Sequence, residues 1–168
     1  MGEPRRLQSG IVDVDFGEGV TVIEPANIYG CKIDEETTIG PFIEIQKDVV
    51  IGKKCKISSH SFVCEGVSIE DRVFVGHGVM FINDIYPQAA NEDGDLKSED
   101  DWRIIETFVR EGASIGSNAT IMAGITIGKN ALIGAGAVVI KDVPDFSIVI
   151  GNDNRIIGDT RNLKKDTK

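Results

Sequence analysis

Large apolar residues recur along this chain at every sixth position. From Ile33 they fall at Ile39, Ile45, Ile51, Ile57, Val63, Ile69, Val75 and Phe81. With roughly 45% of residues apolar in an ordinary domain, nine such hits in succession arise by chance in fewer than about one trial in a thousand. A second run starts at Val109 and continues through Ile115, Ile121, Ile127, Ile133 and Val139. Two residues before each of these positions stands a small or β-branched residue: Cys31, Thr37, Ile43, Val49, Cys55, Ser61, Val67, Val73 and Val79, then Thr107, Ala113, Ala119, Ile125, Ala131 and Ala137. The residue just after is often glycine, as at Gly40, Gly52, Gly76, Gly116, Gly128 and Gly134.

A period of six is neither the 3.6 of a helix nor the 2 of a long strand. It suits a short strand followed by a corner. Three such sides close a triangular coil, and stacked coils pair in parallel while burying the aliphatic residue and its smaller neighbour. Glycine after the aliphatic residue meets the need of a corner for positive φ or close backbone approach. Asp34, Asp48, Asp71, Asn118 and Asn130 fit other corners. The expected fold is an all-β parallel β-helix, a single domain over 1–168.

The pattern breaks in three places. Phe16, Val22 and Ile28 keep the period, but Ile28 to Ile33 is five residues, which marks a weak first coil with a one-residue slip. Phe81 to Val109 is 28 residues, so a long loop excursion is expected around 82–108. That loop carries eight carboxylates against Lys97 and Arg103, a net of −6 out of the chain's −9. Long loops thrown out of compact repeats are usually functional. From about Pro144 the repeat fades into an irregular C-terminal end, placed to cover exposed strand edges.

Composition removes several function classes. The net charge of −9 opposes nucleic-acid and anionic-membrane binding. No apolar run approaches 18 residues, and the first ten residues lack the apolar core of a secretory signal. Three cysteines, an odd number without CxxC spacing, point to free thiols in the cytoplasm. Cys31 and Cys55 fall on inward positions and read as core, and Cys64 reads as inert.

The stretches VVIGKKCKI, ASIGSNATIMAGITIGKNALIGAGAVVIKDVP and IVIGN resemble the hexapeptide-repeat acyltransferases, over roughly residues 20–158. The segment CKISSHSFVCEGVSIEDRVFVGHGVMFINDIYP is similar to the N-acetyltransferases of nucleotide-linked 3-amino sugars, above all in Phe81-Ile82-Asn83-Asp84. The resemblance implies a left-handed helix, a homotrimer with active sites between subunits, and acetyl-CoA as cosubstrate without a metal. Parallel crossovers are generally right-handed, so the sequence by itself favours the other hand. At the C-terminal end Gly151-Asn152-Asp153-Asn154-Arg155 stands where such families commonly read Gly-Asn-Pro-Ala-Arg.

The resemblance also assigns residues. It gives Asn83 the reacting amine, with ordinary turn chemistry as the alternative. Asp84 and Tyr86 beside it become candidates for substrate binding. The two histidines, His60 and His77, sit at corners or outward faces, as substrate contacts or as a base. Ala123-Gly124 and Ala135-Gly136 match positions where the pantetheine arm meets backbone. Lys141 and Arg155 match contacts to the coenzyme's phosphates or adenine. Trp102 would stack on a base or pack on a neighbour. Acyl transfer to an amine whose pKa lies below that of lysine needs positioning more than a strong base. A zinc hydratase on the same helix would need three histidines, and a noncatalytic scaffold would not need the loop.

Overall fold

The computed structural model describes residues 4, 9–98, 103–152 and 154–163; Trp102 and Asp153 lie outside them. Among the described residues twenty-one strands, most of two residues, follow one another around a triangular coil. The first coil holds β1 (Ile11–Val12), β2 (Asp15–Phe16) and β3 (Thr21–Val22). The second holds β4 (Asn27–Tyr29), β5 (Lys32–Ile33) and β6 (Thr38–Ile39), and the third β7 (Glu44–Ile45), β8 (Val50–Ile51) and β9 (Lys56–Ile57). Then come β10 (Phe62–Val63), β11 (Val67–Ile69) and β12 (Phe74–Val75), followed by β13 (Met80–Phe81), β14 (Thr107–Val109) and β15 (Ser114–Ile115). The upper coils hold β16 (Thr120–Ile121), β17 (Thr126–Ile127), β18 (Leu132–Ile133), β19 (Val138–Val139) and β20 (Ser147–Ile150), with β21 (Arg155–Asp159) closing the chain.

As far as β19 every third strand pairs in parallel, which gives three faces. Face one runs β1-β4-β7-β10-β13-β16-β19, face two β2-β5-β8-β11-β14-β17, and face three β3-β6-β9-β12-β15-β18-β20-β21. Register follows the repeat: Ile33 lies under Ile51, Ile57 under Val75 and Ile115 under Ile133. Five-residue steps from Ile11 to Phe16 and from Ile28 to Ile33 make the lower coils 17 residues long, as in the pairs Ile11–Ile28 and Ile28–Ile45. The sixth-position aliphatics from Ile33 to Val139 are at most 2% exposed and form one continuous core with the smaller inward residues. Each buried Ile or Val contributes about 1.5–3 kcal/mol relative to exposure.

The inward hydroxyls are satisfied by one repeated device. Thr37 Oγ1 donates to the Gly52 carbonyl at 2.8 Å and accepts from the Cys55 amide at 2.9 Å. Ser61 Oγ does the same with Gly76 O at 3.0 Å and Val79 N at 3.2 Å. The glycines after the aliphatic positions serve close approach rather than positive φ. A Cβ at Gly116 would sit 2.4 Å from the Ala135 amide nitrogen, and one at Gly76 would sit 2.6 Å from that of Ser117. Left-handed φ falls two residues later, at Asp48, His60, Asn118 and Asn130 among others. Asp34 and Asp71 hold corners differently, by accepting the amides of Glu35 and Lys53 at 2.9 Å.

The helix leaves its path after β13 and resumes at β14 in perfect register, with Val67, Ser68 and Ile69 paired to Thr107, Phe108 and Val109. Phe81 to Val109 takes 28 residues where six would do. The excursion is therefore a surplus of 22 residues hung from one corner. Glu70 ties the two sides of the break: Arg110 Nη1 and the Glu111 amide both donate to its carboxylate at 2.8 Å. Burial pushes the Glu70 pKa up, but these donors outweigh it and hold the carboxyl below its ordinary value.

The C-terminal end is more regular than the fading repeat suggests. Val143 still bridges Ile127, and Val149 still lies over Ile133 inside the core. β21 then turns back antiparallel along β20 and covers the edge of face three. Among the described residues no helix is long and apolar enough to cross a membrane. Cys31, Cys55 and Cys64 are unpaired and buried. Burial pushes the thiols of Cys31 and Cys64 up to about 11 and about 12.

Candidate active site

The three edges of the prism differ in chemistry. Between faces two and three runs an ion-pair edge, where Lys53 meets Glu35, Lys54 meets Glu36 and Arg72 meets Glu111. The other two edges carry the described candidates from His60 to Lys141, and Arg155 opens β21 on face three.

The edge between faces three and one is the histidine edge. A backbone ladder climbs it: His60 N to Pro41 O at 3.3 Å, Gly78 N to Ser59 O at 3.0 Å, Asn118 N to His77 O at 2.7 Å, and Gly136 N to Ser117 O at 2.8 Å. The ladder stacks Ser59, His77, Ser117 and Ala135 on successive coils. His77 is exposed, its Nδ1 lies 2.9 Å from Ser59 Oγ, and its amide donates to Ser117 Oγ at 3.2 Å. Two coils above it, Ala135 and Gly136 are exposed, and nothing lies within 4 Å of where a Gly136 Cβ would stand. One coil below His77, His60 has φ +62° and stacks on Phe42, with ring centroids 5.1 Å apart and planes at 26°.

The edge between faces one and two is the loop edge. Asn83 sits at the root of the excursion, half-buried, and its Nδ2 donates to the Glu65 carbonyl at 3.1 Å. That bond turns the amide so that Oδ1 is the atom left to meet a donor. Asp84 spends one carboxylate oxygen on the Tyr86 amide at 2.9 Å, and the Tyr86 ring is 82% exposed. The loop narrows to a hairpin bridged at Ala90 and Leu96. Its return arm lays Ile104 over Gly66 and Ile105 over Gly124, where added Cβ atoms would meet these side chains at 2.4 and 3.0 Å. Gly124 donates its amide to Thr107 Oγ1 at 3.2 Å, and Ala123 is buried. Above them, Asn154 holds the end of β19: its Oδ1 accepts from Ile140 N at 2.8 Å and its Nδ2 donates to Lys141 O at 2.6 Å. This brings Lys141 and Arg155, both exposed, to neighbouring backbone.

The candidates therefore fall into two groups that one chain does not join. His60, His77, Ala135 and Gly136 share the histidine edge. Asn83, Asp84, Ala123, Gly124 and Lys141 share the loop edge. One side of the triangle separates the groups: His77 and Asn83 are six residues apart along extended chain, at most about 20 Å. Several partners in this geometry, namely Glu65, Ile105 and Asn154, carry no signal in the repeat, and Thr107 reads there only as an inward residue. Asn154 alone lay in view, inside the altered Gly-Asn-Asp-Asn-Arg stretch. Among the described residues no group of three or more His, Cys, Asp or Glu side chains stands close enough to hold a metal.

Coils of six-residue sides define a hexapeptide-repeat protein. Two family models match, "Bacterial transferase hexapeptide (six repeats)" over residues 106–141 and "Hexapeptide repeat of succinyl-transferase" over residues 45–80. The chain belongs to the hexapeptide-repeat superfamily. It is 29% identical over 163 residues to the bifunctional protein GlmU of Thermotoga petrophila, covering 92% of this chain and 35% of that protein. It thus spans about a third of the length of the curated relatives it matches. The fold is shared with GDP-perosamine N-acetyltransferase of Caulobacter crescentus, solved with CoA and GDP-perosamine (TM-score 0.59, 20% identity, 90% of this chain and 58% of that one). It is shared as well with AntD, an N-acyltransferase of Bacillus cereus solved with dTDP and coenzyme A (TM-score 0.64, 16% identity, 90% and 83%).

Proposed function

We propose that this chain transfers an acyl group, most simply acetyl, from acyl-coenzyme A to the 3-amino group of a dTDP- or UDP-linked amino sugar, as a cytoplasmic homotrimer. The observation that carries the reading is Asn83. Its side chain is locked at the root of the loop by the Glu65 carbonyl, with Oδ1 presented to a donor. An amide oxygen in that pose accepts from an amine N–H and aims the nitrogen lone pair, without itself taking a proton. Ligands in the neighbouring folds, CoA with GDP-perosamine and CoA with dTDP, belong to the same chemistry.

The coenzyme finds fitting residues. Gly136 has open space in front of it, and Lys141 and Arg155 are exposed cations on adjoining backbone, suited to phosphate. Gly124 fits less well, because Ile105 already lies over it within the chain. Bound there, the thioester supplies the electrophile. Asn83 orients the neutral amine toward it; the C–N bond forms, the C–S bond breaks, and the departing sulfur takes the amine's proton. His77 and His60 contact substrate in this scheme, and Asp84 and Tyr86 line its approach.

The separation of the two edges supports the trimer. Between them, face one stacks Phe62, Met80, Thr120 and Val138 in one outward column, largely apolar and suited to a second copy. Packing that strip on a neighbour sets one chain's loop edge against the next chain's histidine edge. Three buried free thiols suit a reducing compartment. The test is thiol release from acetyl-CoA across dTDP- and UDP-linked amino sugars, other amines and hydroxyl sugars. Release with a 3-amino nucleotide sugar alone supports the proposal. Release only with another acceptor, or with none, removes it in favour of a different transferase or a scaffold.

A further inference from the structure

The histidine edge continues below His77 in a way the repeat does not require. At the corner position taken by Gly78, Asn118 and Gly136 in the upper coils, the lower coils carry His60 and Phe42. Phe42 has φ +56° and is 58% exposed. The corners of this helix impose positive φ on other bulky residues too, at Lys54, Arg72 and Phe146, so the backbone admits a large side chain here and what sets Phe42 apart is its exposure. Glycine serves this corner in two other coils, so the fold does not demand phenylalanine. Burial does not explain the residue either, because more than half of it faces solvent.

Phe42 and His60 form a stacked pair pointing out of the edge, with centroids 5.1 Å apart. On the side of Phe42 away from His60 lies a small cleft of about 180 Å³, lined by Ser9, Pro25, Ala26, Asn27, Phe42 and Ile43. The cleft has an aromatic wall, a proline wall and an Asn side chain, the elements that hold a flat heteroaromatic ring and offer it a hydrogen bond.

Position supplies the ligand. Coils stack about 4.8 Å apart, so the Phe42 corner lies roughly 10 Å below that of His77 and Gly78. The coenzyme side, at Ala135 and Gly136, lies an equal step above. An acceptor whose amine is at the level of His77 must extend away from the coenzyme, down this edge. A sugar and a pyrophosphate bridge that span. We propose that Phe42, backed by His60, is the stacking platform for the nucleobase of the acceptor, with the base entering the cleft against Pro25. This rests on the nucleotide-sugar reading above.

The experiment measures binding rather than turnover: calorimetric titration of the full-length protein with UDP, with dTDP and, separately, with CoA. Phe42→Gly suits the left-handed corner, so this variant should melt no lower than the parent. It should lose about 10-fold or more in nucleotide affinity, as expected for one base–aromatic stack, and keep its CoA affinity. Phe42→Ala should behave alike in binding, and Phe42→Trp should retain it and show fluorescence quenching by the nucleotide. If the parent binds a nucleotide and Phe42→Gly binds it within twofold, the platform is wrong and the function stands. Equal loss of CoA and nucleotide binding in Phe42→Gly and Phe42→Ala would make Phe42 a structural residue and also overturn the proposal. If the parent binds neither UDP nor dTDP, the platform and the nucleotide reading fall together.

Discussion

The loop edge and the histidine edge are built from the same repeat and do opposite things with it. On the histidine edge the coil never breaks: backbone bonds run from Pro41 up to Gly136, and candidate groups stand out from a rigid ladder. On the loop edge the coil opens after Phe81 and spends 22 surplus residues before Val109 resumes the register. Its candidate groups are fixed by side-chain bonds, Asn83 on Glu65 and Gly124 on Thr107, instead of by the ladder. Under the proposed function one edge would serve as a ruler for a long ligand and the other as a clamp. A repeat fold gains a site by interrupting one corner while the other two hold the register.

Cutting out the loop presses this contrast hardest. Deleting residues 84–105 restores the six-residue step from Phe81 to Val109. Activity should vanish, while unfolding free energy should change by no more than about 2 kcal/mol, because closing such a loop costs only that order of entropy. Collapse of the fold in denaturant titrations would show that the loop is structural.

Next in size is Asn83→Ala, which should lower kcat/KM about 100-fold through a misplaced amine, while His77→Asn and His60→Asn lose less. The rise of rate with pH should survive both histidine changes. A pH limb that disappears in His77→Asn, with Asn83→Ala nearly as active as the parent, would transfer the chemistry to the histidine edge.

Glu70→Gln should cost about 1 kcal/mol, since it weakens two charge-assisted bonds at a partly exposed, screened site. The folded-state carboxyl pKa is depressed, so this contribution is present above the unfolded value near 4.3 and is lost as pH falls through the folded value. Parent and variant should therefore converge in stability in acid.

Smallest is the thiol response. With Cys31 at about 11 and Cys64 at about 12, alkylation of the native protein at pH 8 should proceed only through unfolding. The neutral thiols contribute stability below the unfolded value near 8.5, and it drains away as pH rises toward the folded values. Fast labelling at pH 8 would contradict their burial.

The sequence made the core legible because the sixth-position residues and those two before them keep one period on each side of the excursion, from Ile33 to Phe81 and from Val109 to Val139, and the structure buries all of them. The excursion was legible as a loss of phase, and the slip at Ile28 to Ile33 as a five-residue step. What periodicity cannot show is which corner a residue occupies relative to another several coils away. Ala123-Gly124 and Ala135-Gly136 look equivalent in the repeat, yet twelve residues place them on different edges, and Ile105 covers only the first. Phe42 gave no signal, since an aromatic at a corner looks like any outward residue until its φ is known. Asn154 replaced a familiar turn and was visible as a departure, but its bonds to Ile140 and Lys141 depend on where the last coil ends.

The separation of the two edges is tested most directly by mixing subunits. Asn83→Ala disables the loop edge, and Ala135→Trp blocks the coenzyme's approach on the histidine edge. Each homogeneous variant should be nearly inactive. Co-expressed and purified as mixed trimers, they should recover roughly a third of parental activity, because a site shared by neighbours in a cyclic assembly is intact when both contributing edges are, and each mixed ring has one such interface in three. Mixed trimers no more active than either variant alone would contradict a site assembled between chains.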